Sequence, residues 1–201
     1  MSSWEDKLPP IMRERLAKAG ELTPEEREKI KASDQLASVL SEFYKGSIDS
    51  EGLWKRLKVF KDQGKTTVFK EAQLQIIDSL GLASTGPELQ KRKSGIVAIE
   101  TLKPQPNTSA LEQALNALDA LQAKSKKEMQ QGYDYLKAEI EKNPQLRMQQ
   151  VKQGDATVLV QLTVDEAVKL RPEWKNFLAD HDKRHSQEFS KTIERLRKLI
   201  R

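Results

Sequence analysis

Asp180-His181-Asp182-Lys183-Arg184-His185 is the stretch of this sequence whose residue types come nearest to chemistry. Its two histidines are the only ones in the chain. Four residues apart, they share one face of any helix that contains them. Two imidazoles at that spacing can share a metal ion, and Glu188 adds a carboxylate about one turn on. His181, His185 and Glu188 are therefore a candidate ligand set. There is no cysteine to complete it, and neither His-Glu-x-x-His nor the Glu-x-x-His pairs of helical di-iron proteins occur. On ligand count the stronger reading is a polar layer in a helical seam, or a pair that faces solvent. Two protonated rings at this spacing would repel, so a seam holding them could respond to pH. No cofactor is expected.

Other reactive patterns are missing. Gly64-Lys65-Thr66 lacks the upstream glycine of a phosphate-binding loop, and no Gly-x-Gly-x-x-Gly or Gly-x-Ser-x-Gly is present. The absence of cysteine excludes disulfides, thiolate metal sites and cysteine nucleophiles, and it fits a reducing compartment. Paired carboxylates such as Glu25-Glu26 suit a helix N-terminus. An enzyme is not expected.

Charge offers a second lead. The chain carries a formal +5, and residues 183–201 hold seven basic side chains against Glu188 and Glu194. Lys183, Arg184, Lys191, Arg195, Arg197, Lys198 and Arg201 are candidate contacts for nucleic acid or an acidic partner. Cations also suit a helix C-terminus and a solvated helix face, which is the commoner meaning of such a run. Lys91-Arg92-Lys93, Lys124-Ser125-Lys126-Lys127 and Trp54 among Lys55, Arg56, Lys58 and Lys61 add cations elsewhere, but acidic residues interleave and no nucleic-acid-binding signature appears.

These residues must be positioned by helices. Hydrophobic residues make up 37% of the chain and charged residues 32%, a composition that suits elongated helices burying a stripe. Four capping boxes mark helix starts: Thr23 with Glu26, Thr85 with Glu88, Ser109 with Glu112 and Thr163 with Glu166. Short amphipathic helices are expected over 8–19, from Pro24 to Gly46, around Leu53–Phe60 and around Phe69–Leu80, with glycines at their ends. From Leu111 an apolar stripe with polar interruptions at Gln122 and Ser125 runs to Ile140 and stops at Pro144. A second runs from Trp174 to Ile200 through His181 and His185, with Pro172 in its first turn. Aligned antiparallel with Leu111 near Leu199, the two place Met129 by His181, Ser125 by His185 and Gln122 by Glu188, so polar meets polar. Two runs, 96–102 and 157–162, are strand-like; the first is a strand or the end of a helix, the two could pair with each other or with another chain by strand addition, and a short helix is expected over 164–170.

The expected fold is mainly α: a small helical bundle over 1–82, a linker over 83–107 containing the strand-like run 96–102, and a long antiparallel, coiled-coil-like hairpin over 108–201. Its helices span 110–143 and 172–201, joined by a 144–171 connection, with a minor two-stranded β element. With no secretory apolar stretch and no apolar window of about 20 residues, a soluble cytoplasmic protein without membrane insertion is expected. The function that fits best is non-enzymatic docking or scaffolding, through a protein partner or self-association of the hairpin. A nucleic-acid-associated accessory factor and a helical metal-binding protein are the second and third readings.

Overall fold

A computed structural model of the chain describes residues 23–153 and 156–200. The helix expected over 8–19 and the cation Arg201 lie outside these residues. Among them are seven α-helices: α1 (Pro24–Lys45), α2 (Ser50–Asp62), α3 (Thr67–Asp78), α4 (Gly86–Glu100), α5 (Thr108–Lys142), α6 (Val164–Leu170) and α7 (Pro172–Ile200). A 3-10 turn (Pro144–Arg147) and strands β1 (Met148–Gln153) and β2 (Ala156–Gln161) lie between α5 and α6. The class is mainly α with a minor β element, as expected. No described helix is long and apolar enough to cross a membrane. By contacts the chain forms two compact units, one built from residues up to 76 with 94–106 and the other from 77–93 with 107 onward. Helices α3 and α4 each contribute to both.

In the first unit the helix starts follow the local chemistry. Thr23 accepts from the Glu26 amide at 3.2 Å, and the Glu26 carboxylate accepts from the Thr23 amide at 2.8 Å. Asp49 caps α2 by accepting from the Gly52 amide at 2.8 Å. Gly46 ends α1 with φ 82°, a left-handed conformation that costs glycine nothing. The apolar faces then converge: Leu36, Leu40 and Phe43 of α1, Leu53 and Leu57 of α2, Phe69, Ala72 and Ile76 of α3, and Ile96 and Ile99 of α4 are buried. Each large side chain contributes about 1.5–3 kcal/mol on burial. A buried polar tie crosses this core. The Gln73 amide donates to the Ile96 carbonyl at 3.1 Å and to the Glu100 carboxylate at 2.8 Å, and Lys103 pairs with Glu100 at 2.8 Å.

The second unit is organised by α5 and α7, which run antiparallel against each other: Lys124 meets Glu188, Glu128 meets His185, and Gly132 meets Phe177. Leu111, Leu115, Leu118, Leu136 and Ile140 of α5 and Trp174, Ile193, Leu196 and Ile200 of α7 are buried. At one end Leu136, Ile140 and Trp174 close a cluster with Ala167 and Val168 of α6. The Thr163–Glu166 capping box starts α6, with bonds of 2.8 and 3.3 Å. Residues 77–93 are tied on by polar bonds. The Gln122 amide donates to the carbonyls of Gly81, Leu82 and Ser84, and the guanidinium of Arg197 donates twice to Asp78, at 2.8 and 3.0 Å. β1 and β2 form an antiparallel ribbon, with Val151 opposite Val158 and Gln149 opposite Val160.

Two expectations are corrected. Residues 96–102 are not a strand: through Glu100 they are the last turns of α4, and β2 pairs with the glutamine-rich segment 148–153 instead. Gly95, which reads in the sequence as a break before a strand, sits inside the helix. A Cβ there would stand 2.6 Å from the Phe43 ring, so the glycine is a place of close helix contact. Ser109 is not an N-cap either, because α5 begins at Thr108 and Ser109 lies within its first turn.

Gly132 of α5 repeats the device. A Cβ there would lie 2.6 Å from Phe177 Cζ. Replacing a mid-helix glycine by alanine ordinarily stabilises by about 0.5–1 kcal/mol. Here Gly95→Ala and Gly132→Ala are each expected to destabilise by about 1–3 kcal/mol through overpacking. Gly86→Ala, with nothing within 4 Å of the new Cβ, serves as the control and is expected to be neutral or stabilising. Urea unfolding of the three variants checks this; equal effects at all three positions would refute the close-packing role.

Candidate functional site

The polar interruptions of α5 and α7 meet in one buried layer. His181 and His185 stand four positions apart, so both point from α7 toward α5, and each is only 1% exposed. Their ring centroids are 4.3 Å apart. They extend a run of rings along α7: Tyr133 packs edge-on to Trp174, Trp174 stacks on Phe177 at 5.4 Å, and Phe177 lies 5.7 Å from His181. Burial between the helices makes an unpaired imidazole nitrogen costly.

The partners come from α5. His181 Nε2 lies 3.0 Å from the Ser125 carbonyl oxygen and 3.3 Å from the Ser125 hydroxyl. A carbonyl only accepts, so that nitrogen carries the hydrogen. His181 Nδ1 faces the Asp182 carboxylate at 3.4 Å. His185 Nε2 donates to Glu128 Oε2 at 3.0 Å. His185 Nδ1 is buried and has no partner. Glu128 is half-buried and also meets Arg184 at 3.5 Å. The His185 hydrogen bond is the main reason its pKa lies below the ordinary carboxylate value. Partial burial opposes this, and the attraction of His185, Arg184 and Lys124 adds to it.

The sequence-predicted residues divide accordingly. His181 and His185 come together. Glu188 does not join them: it is exposed and pairs with Lys124 at 3.6 Å, while the carboxylate in the layer is Glu128. Met129, expected beside His181, is 38% exposed. Over these turns the buried face of α5 runs through Ser125, Glu128 and Gly132, so Met129 falls to its edge. The signal for Glu128 is its three-residue step from Ser125. Among the cations, Arg184 is held by Glu128 and Arg197 by Asp78. Lys183, Lys191, Arg195 and Lys198 are exposed. Arg184, Lys191, Arg195 and Lys198 follow steps of seven, four and three, and so share one face of α7.

Chemically, the layer can fix the register of the hairpin, and it brings two imidazoles and one carboxylate together. No known protein family, characterised protein or solved structure is measurably similar to this chain.

The Glu128–His185 bond is testable by a double-mutant cycle. Glu128→Ala, His185→Ala and the double variant are expected to show about 1 kcal/mol of coupling in urea unfolding at pH 7, reduced from a fully buried value by the exposure of Glu128. A carboxylate whose folded pKa is lowered contributes stability above its unfolded value of about 4.3, and that contribution fades as pH falls through the folded value. The Glu128 contribution should therefore shrink as pH falls below about 5 through the folded value. Coupling within error of zero at pH 7 would remove the bond from the account.

Proposed function

We propose that the chain is a non-enzymatic helical interaction protein whose contact element is the β1–β2 ribbon of the hairpin connection. The observation that carries this reading is uncovered apolar surface. Met148, Val151, Val158, Leu159 and Val160 are all at least 40% exposed, on a sheet of two strands that leaves each outer edge without a neighbour in the sheet. Gln149, Val151, Val158 and Val160 share one face by alternation, and none is charged. Solvent-facing ribbons usually carry charge or proline to prevent pairing, and Lys152 is the one charged side chain among the described ribbon residues.

The occupant we assign to this face is the ribbon of a second copy. An uncharged face meets its own two-fold mate without like-charge repulsion. Six-residue strands are about 20 Å long, so the contact is small and the dimer weak. Hence self-association should appear as concentration rises. Sedimentation velocity across a concentration series is expected to show a reversible monomer–dimer equilibrium that Val158→Lys abolishes with no loss of melting temperature. A wild-type chain that stays monomeric throughout would overturn this assignment.

A second reading rests on the shared face of Arg184, Lys191, Arg195 and Lys198. We read it as a surface for phosphate backbones in a nucleic-acid-associated role. Single-stranded RNA should then shift the protein at low salt, with affinity falling steeply as salt rises and Lys191→Glu/Arg195→Glu weakening it at least tenfold. No shift at low salt would retire the role.

A further inference from the structure

Glu128, His181 and His185 place one carboxylate oxygen and one nitrogen of each ring within 4.8 Å of one another. We propose that these three residues form a binding site for a divalent late first-row metal ion, Zn²⁺ foremost. Four observations carry the assignment.

The first is reach. Zinc takes nitrogen at about 2.0–2.1 Å and carboxylate oxygen at about 2.0–2.2 Å in a tetrahedral shell. The edges of that shell are about 3.3–3.5 Å, so closing the three ligand atoms onto an ion needs side-chain movements of about 1 Å.

The second is an unmet valence. His185 Nδ1 is a buried nitrogen without a partner, in a residue that is 1% exposed. The seam thus holds one more buried polar atom than its own hydrogen bonds use, and leaving such an atom unsatisfied is costly.

The third is the surrounding shell. Ligation through His181 Nε2 requires that nitrogen to give up the hydrogen it donates to the Ser125 carbonyl; the hydrogen moves to Nδ1, where the Asp182 carboxylate at 3.4 Å accepts it, the arrangement by which a carboxylate orients a metal-bound imidazole. The Ser125 carbonyl and hydroxyl lie against the same ring. Arg184, 3.5 Å from Glu128, is the charge that an incoming cation must displace, and its side chain is 57% exposed and able to swing away.

The fourth is ligand type. Two imidazoles and one carboxylate favour zinc, nickel and copper, whereas magnesium and calcium select all-oxygen shells. Three protein ligands leave a fourth position for water. Because the ligands come from both α5 and α7, the ion would clamp the hairpin across its polar layer.

The test uses the untagged, chelator-treated full chain. Calorimetric titration with ZnCl₂ at pH 7.5 is expected to give one ion per chain and a raised melting temperature, with MgCl₂ giving neither. Co²⁺ should produce the visible bands of a four-coordinate nitrogen–oxygen site. Glu128→Gln should keep its helicity by circular dichroism and weaken Zn²⁺ binding at least tenfold, while Glu188→Gln should bind as the wild type does. Absence of stoichiometric Zn²⁺ binding would overturn the proposal. So would unchanged binding in Glu128→Gln, or loss of binding in Glu188→Gln.

Discussion

Two histidines buried between two helices are the constraint on which the hairpin unit depends. Taking an imidazole from water is costly unless its nitrogens find partners. On α5, the Ser125 carbonyl and hydroxyl and the Glu128 carboxylate supply them for the two Nε2 atoms, while His185 Nδ1 is left without one. Sliding α7 by one turn would carry both rings past these groups and leave several buried polar atoms stranded. Apolar seams tolerate such slips, because leucine packs against leucine in more than one register. A polar layer does not, and this is how a single polar position can select one alignment of a coiled coil.

Steric fit reinforces the same alignment. Gly132 admits the Phe177 ring, and the ring row from Tyr133 through Trp174 and Phe177 leads directly into His181. Beyond the row, Leu136, Ile140 and Trp174 close on α6. Packing and hydrogen bonding thus specify one arrangement from two directions. The ribbon follows from this frame: Leu146 and Leu162 at its base pack on the cluster that includes Trp174, and its strands leave their apolar side chains in solvent. The rigid part of the hairpin holds the uncovered part in place, and this gives the interaction reading its physical sense.

Much of this was legible in the residues. The first long helix ends at Lys142, one residue from its expected limit, because Pro144 follows, and both long helices start within two residues of theirs, at Thr108 and Pro172. Helix α6 lies where its capping box put it. The alignment of the seam was also legible on average, although each polar pair differs by a few residues: His181 meets Ser125, His185 meets Glu128, and Glu188 meets Lys124. Facing side chains interleave, so spacing predicts the layer better than the pair. What stayed hidden depended on tertiary contact. Gly95 looks like a helix breaker until Phe43 is seen against it. Strand β1 has three glutamines and a lysine among its six residues and lacks the β-branched run that marks β2. Glu128 is one of many charged residues on α5, and only its contact with His185 singles it out.

The central claim is that the polar layer fixes one register of the α5–α7 hairpin. The chain has no cysteine, so thiol bridges can be introduced without background. The most direct measurement is bridging by a short bis-maleimide in two double variants, Lys124→Cys/Glu188→Cys and Gln131→Cys/Glu188→Cys. The second pair is displaced by about 10 Å along the helix. The account predicts rapid intramolecular bridging of 124 with 188 and little of 131 with 188. Equal bridging of both pairs, or preference for 131, would contradict it.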